Sequence, residues 1–263
     1  MLTINSMNML SQRFNQKTMN VPSANVLAPG AQHAGPPLGM LAIVYAILFN
    51  AGLYPVISFT GGPHYPGPLE SSEAIAAYFQ SHSAAAQICA FLQFGAAIPL
   101  GIYTATVVSR LQFFGVRAAG PKIAFFGGLW TASSVAACAL ILWVMAYPGI
   151  AQDPGILRAL YYLGFAFGGV GFSVPMGLLI AGICIPAAFM KLLPKWVIIL
   201  GLIIAAVGEL SYLDLVTPKA LPLIPLTRFP AFIWLIIAGF KLPKTITRAN
   251  SQAAAPDPIA STG

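Results

Sequence analysis

Apolar residues come along this chain in long blocks separated by short polar loops. The first is "GMLAIVYAILFNAGLYPVISF" (39–59), and the second is "AAAQICAFLQFGAAIPLGIYTATVV" (84–108). The third, "IAFFGGLWTASSVAACALILWVMAY", covers 123–147, and the fourth lies within 156–190. "WVIILGLIIAAVGELSYL" (196–213) and "LPLIPLTRFPAFIWLIIAGF" (221–240) complete the set. A helix that crosses a bilayer needs about 20 mostly apolar residues. The pattern predicts an all-α, polytopic transmembrane helical bundle of six spans over 38–244.

The polar segments fill in the rest. Residues 1–37 are rich in Asn, Gln, Ser, Pro and Gly and have no apolar core of a signal peptide, so a disordered arm is expected there. The tail, 245–263, reads the same way. The largest loop, 60–83, opens with turn chemistry, "TGGPHYPGP". "EAIAAYFQSH" follows, with Ser71 or Ser72 as N-cap and Glu73 in the first turn. Its Ile75, Tyr78 and Phe79 fall on one face, which predicts a short helix lying at the outer membrane interface.

Composition agrees with lipid as the solvent. Hydrophobic residues make up 58% and charged residues 7%, too few charges to cover a soluble fold. The net charge of +7 is distributed unevenly. Only Arg158, Lys219 and Arg228 fall on one side of the six-span scheme, and the other ten Lys and Arg fall on the side of the termini. Basic loops mark the cytoplasmic side, so both termini are expected inside. Glu70, Glu73, Asp153, Glu209 and Asp214 fall on the outer half. No basic cluster with interleaved aromatics suggests nucleic acid.

The fourth block is irregular. Arg158 to Lys191 would make about 50 Å of helix against a hydrocarbon core of about 30 Å. It must tilt and protrude, or break. Its middle, "GGVGFSVPMG", has four glycines and Pro175, and Ser173 could bond a freed carbonyl. Gly169, Ser173, Gly177 and Ala181 recur every four residues, a stripe that permits close helix approach. Ala124, Gly128, Ala132 and Ala136 form one possible partner stripe, and Ala97, Gly101 and Ala105 another.

Chemistry is sparse. Glu209 and Arg228 should reach equal depth on adjacent antiparallel spans, which predicts an intramembrane ion pair with Asp214 as a second acceptor. His64, Glu70, Glu73 and His82 gather in the outer loop, but their spacing matches no known metal-ligand pattern, and no metal is expected. Cys89, Cys138 and Cys184 sit singly in apolar runs and read as small buried hydrophobes. No histidine lies in any span to ligate a haem, and no nucleotide loop or catalytic triad is present, so no cofactor is expected.

Leu193-Pro194-Lys195-Trp196, Arg228-Phe229-Pro230 and Trp234, with the outer "EAIAAYF" segment, resemble an uncharacterised family of bacterial six-span integral membrane proteins, a domain of unknown function. The resemblance covers about residues 40–244 and implies a six-helix bundle in the bacterial cytoplasmic membrane. It implies no activity or ligand. The leading expectation is a non-enzymatic accessory or assembly subunit, packing against membrane-protein partners or copies of itself. A small-solute permease with a broken fourth span is the alternative, and a membrane enzyme with an outer-face site is the second.

Overall fold

The computed structural model describes residues 30–56 and 65–246, and the described secondary structure is helical apart from one isolated bridge. The helices are α1 (Leu38–Leu53), α2 (Ser72–Ser81), α3 (Ser83–Phe113) and α4 (Gly120–Met145). They continue with α5 (Pro154–Gly168), α6 (Val170–Phe189), α7 (Lys195–Leu210) and α8 (Leu223–Lys241). The contact pattern divides the chain into 33–244, which holds the eight described α-helices, and the two terminal segments. Of the terminal segments, 1–29 and 247–263 lie outside the described residues. Their inner ends are described and meet each other. Gln32 bridges Thr245 antiparallel, and Gly30 N–H donates to the Ile246 carbonyl at 2.9 Å.

Local chemistry sets the helix starts. Ser71 Oγ accepts from Ala74 N–H and begins α2. Asp153 caps α5 by accepting from Gly155 and Ile156 N–H, with Pro154 at the first turn, where its missing donor costs nothing. Prolines also occur inside α3, α6 and α8, as Pro99, Pro175, Pro186 and Pro230. Buried threonines avoid stranding a hydroxyl by donating to the carbonyl one turn back, as Thr104 does to Leu100 and Thr131 to Gly127.

Six helices form a closed ring in the order α1, α3, α4, α6, α7, α8 and back to α1, with α5 packed on α4. Glycines set the closest approaches. A side chain at Gly239 would meet the Gly39 backbone at 2.7 Å, which closes α8 onto α1. One at Gly127 would meet the Pro175 carbonyl at 2.5 Å, and one at Gly208 the Ser173 carbonyl at 2.8 Å. Trp234 lies fully buried between α7 and α8 and donates its indole N–H to the Val197 carbonyl at 2.8 Å. The outward faces carry Ile47, Phe91, Ile98, Phe126, Ile203 and Ile233, all exposed. In water these would form an apolar girdle far larger than a soluble monomer shows, so this surface belongs in lipid.

Among the described residues, five helical segments are long and apolar enough to cross a membrane: Ser83–Phe113, Gly120–Met145, Pro154–Phe189, Lys195–Leu215 and Pro218–Lys241. They match the second to sixth expected spans. The first expected span is shorter than its sequence block suggests. α1 has 16 residues, or about 24 Å, and residues 57–64 are outside the described residues.

The fourth expected span is interrupted. The break falls at Gly169 (φ −88°, ψ −98°), between α5 and α6, and not at Pro175, which lies within α6. A backbone turn there needs room at both neighbours, and the Gly168-Gly169 pair provides it. α2 forms as expected, but its Ile75, Tyr78 and Phe79 do not face outward. They are buried in a cluster with Cys89, Leu142, Met145, Leu157 and Tyr161. The apolar face of this helix is covered by protein.

Candidate functional site

The break between α5 and α6 opens onto a cavity of about 280 Å³. Its walls come from the end of the helix ring nearest α2 and from the Tyr65–Pro68 segment. They are mainly apolar and include Phe49, Val135, Leu142, Met145, Phe165 and Ile224. Tyr65 stacks on Tyr161, with ring centroids 6.0 Å apart, and Tyr161 donates its hydroxyl to the Pro66 carbonyl at 2.5 Å. Burial first, then its neighbours Tyr161, Cys138, Cys89 and Tyr78, hold the Tyr65 phenol well above its ordinary range, so it stays neutral. Arg228 is the one charged side chain among the described lining residues.

The guanidinium of Arg228 is held in an unusual way. It donates through Nη2 to the carbonyl of Gly168, the last residue of α5. It lies over the ring of Phe172 at 4.8 Å and near that of Phe49 at 5.5 Å. Its Nε is buried without a hydrogen-bond partner. The break therefore exposes a carbonyl that Arg228 takes up, and the aromatic faces carry part of the charge.

The expected Glu209–Arg228 ion pair is not formed. Glu209 Oε1 is buried with no hydrogen-bond partner, and it lies 3.1 Å from where a side chain at Gly177 would begin. The depth argument holds: a side chain at Gly208 would meet Thr227 Cγ2 at 3.1 Å, so the two helices match in height. The azimuth does not follow from it. Each next residue turns about 100° around its helix. That step takes Glu209 toward α6 and Arg228 away into the cavity. Asp214 is not among the hydrogen-bond partners of Arg228 either.

The small-residue stripe is only partly realised. Gly169 is the break itself. Gly177 faces α7, where an added side chain would meet the Ala205 carbonyl at 2.9 Å. Ser173 is fully buried, but its hydroxyl has no partner, so it bonds no freed carbonyl. Ala181 is half-buried. Across from α6, Gly128 packs on Thr104 of α3, while Gly127 and Ala124 meet α6. Gly101 has open space around it, and Ala105 is exposed, so the second proposed partner stripe is not an interface.

The outer-loop candidates are dispersed. His64 lies outside the described residues. Glu70 Oε1 accepts from Gly67 N–H at 2.7 Å. Hydrogen bonds from its backbone and from Ser71 hold the Glu73 carboxyl below its ordinary range. His82 stacks on Tyr78 at 5.0 Å and bonds Ser81 Oγ at 2.8 Å. Among the described residues no group of three His, Cys, Asp or Glu side chains could hold a metal. Cys89, Cys138 and Cys184 are free, and Cys89 and Cys184 are buried.

Sequence reasoning missed the aromatic partners of Arg228. The available signal was the Gly168-Gly169 pair beside an intramembrane arginine. Comparisons with protein-family models, with curated proteins and with solved structures return no match. The six-span family resemblance therefore remains an expectation.

Proposed function

We propose that this chain is a solute-binding membrane protein of the permease kind, and not an enzyme. The observation that carries this reading is the helix break at Gly168–Gly169, which opens on a cavity containing Arg228. Irregular backbone within a membrane is tolerated where it lines a cavity, and broken helices commonly hold transporter sites. The accessory-subunit reading leaned on the small-residue stripe. Gly127, Gly177, Gly182 and Gly208 are already occupied by contacts inside the bundle, so they offer no surface to a partner.

The reading includes six spans in a bacterial cytoplasmic membrane, with both termini inside and α2 near the outer interface. α1 is the first span, extended beyond Leu53. Two features support this: the distribution of Lys and Arg, and the place of α1 in the ring beside α3 and α8.

Purified protein in proteoliposomes tests it against a panel of small neutral and anionic solutes. Wild type should bind or take up at least one. Leu53→Trp, which fills the cavity from its wall, should abolish that while melting stays unchanged. An absence of both flux and binding for wild type would sink the reading.

A further inference from the structure

We infer that the cavity takes a small monocarboxylate with an apolar body, its carboxylate held by Arg228. This rests on the solute-binding reading and names the class of solute. The argument begins from charge. Arg228 supplies one positive charge, and no acid or second base occurs among the described lining residues. Glu209, the nearest candidate counter-ion by sequence, turns toward Gly177 instead. One cation in an apolar pocket matches one negative charge. A dianion would leave half its charge unpaired where water is scarce.

Geometry narrows the class further. The Gly168 carbonyl uses only part of the guanidinium's donor capacity, and Nε is unpartnered. The fork of a guanidinium fits the two oxygens of a carboxylate. Phe172 and Phe49 lie beside it, their ring centroids 6.2 Å apart, and limit the directions in which that fork can open. The rest of the wall, including Val135, Leu142, Met145 and Phe165, is mainly apolar, with the Gln93 amide as a polar group besides Arg228. At about 280 Å³ the cavity is near the lower end of small-molecule pockets, roughly 300–1,000 Å³. The same chemistry has two sources: a small water-borne acid, or the end of a free fatty acid that enters from the bilayer.

The experiment is equilibrium binding to the full chain in phosphatidylcholine nanodiscs. The probes are phenylacetate, its neutral isostere phenylacetamide, inorganic phosphate and laurate. Phenylacetate should bind at least about tenfold tighter than phenylacetamide, the margin of a charge-assisted hydrogen bond, and phosphate should not compete. Arg228→Gln should bring the acid-to-amide ratio near one without removing the amide, and Arg228→Lys should keep part of the preference. Should Arg228→Gln fail to fold, the wild-type ratio still decides. Competition by laurate identifies the membrane-borne source, and its absence the water-borne one; either outcome supports the carboxylate assignment. Equal affinity for acid and amide overturns the assignment and leaves the cavity reading standing, as does tighter binding of phosphate. Binding of no probe, charged or neutral, overturns both.

Discussion

Arg228 of α8 donates to the main-chain carbonyl of Gly168, at the break between α5 and α6. A guanidinium at that depth costs a few kcal/mol unless it is paired. Here a carbonyl and two aromatic rings offset the cost, and Glu209 contributes no ion pair.

A double-mutant cycle on Glu209 and Arg228 should therefore be additive. Glu209→Gln and Arg228→Gln share no direct contact, so the coupling should stay within about 0.5 kcal/mol. Thermal melts of the two single variants and the double variant in nanodiscs measure it. A coupling above about 1 kcal/mol would mean that the two side chains meet in the membrane.

Glycine-to-alanine changes should differ in sign by location. At Gly177 the new methyl would meet the Ala205 carbonyl at 2.9 Å, a main-chain atom that cannot swing aside. Overpacking of this kind costs about 1–3 kcal/mol. At Gly101 the methyl meets nothing within 4 Å. Gly101→Ala should be neutral or stabilise by up to about 1 kcal/mol, through lower backbone freedom in the unfolded chain. Equal melting for the two variants would remove the packing account.

These two cases show what the sequence made legible. Block length and spacing located the five long apolar segments, because hydrocarbon thickness sets a length that can be counted along the chain. The rise per residue placed positions 208 and 227 at one height. Rotation about each helix axis was not legible. In lipid both the inward and the outward faces are apolar, so no polar stripe marks the outside. The direction of Arg228 therefore emerged only with its neighbours Phe49 and Phe172. The break falls at Gly169, inside the 168–177 stretch whose glycines and Pro175 marked it in the sequence. A helix absorbs one proline by giving up a single hydrogen bond, whereas a glycine pair removes the side chains that would resist a turn.

His33 should confer a measurable pH dependence. It bonds Ser109 Oγ at 3.0 Å and meets the ring of Phe113 edge-on at 5.4 Å. Burial, and then the positive charge of Arg110, lower its pKa below the ordinary 6.5. The unfolded chain therefore takes up the proton first as pH falls. The His33 contribution is whole above about pH 6.5, declines below it, and levels off under the folded pKa. Wild type should lose more stability between pH 7 and pH 5 than His33→Gln does. Parallel melting profiles for the two would show that His33 does not titrate differently on folding.

The count of spans rests on α1, and labelling decides it. In a cysteine-free background, single cysteines at Ser6, Ser72 and Ser251 should report through an impermeant maleimide in intact cells. With six spans and both termini inside, only the Ser72 position labels. The sixteen residues of α1 make about 24 Å of helix against a core of about 30 Å. Crossing therefore requires the chain beyond Leu53 to continue through the membrane, or the bilayer to thin locally at modest cost. If α1 instead enters and returns, the Ser6 position labels along with Ser72 while Ser251 stays protected, and the Gln32–Thr245 bridge cannot persist in the membrane. The cavity would then keep its walls from α3 to α8, but Phe49 would approach Arg228 from a re-entrant segment. Labelling at Ser251 would reverse the orientation altogether and turn the cavity toward the cytoplasm.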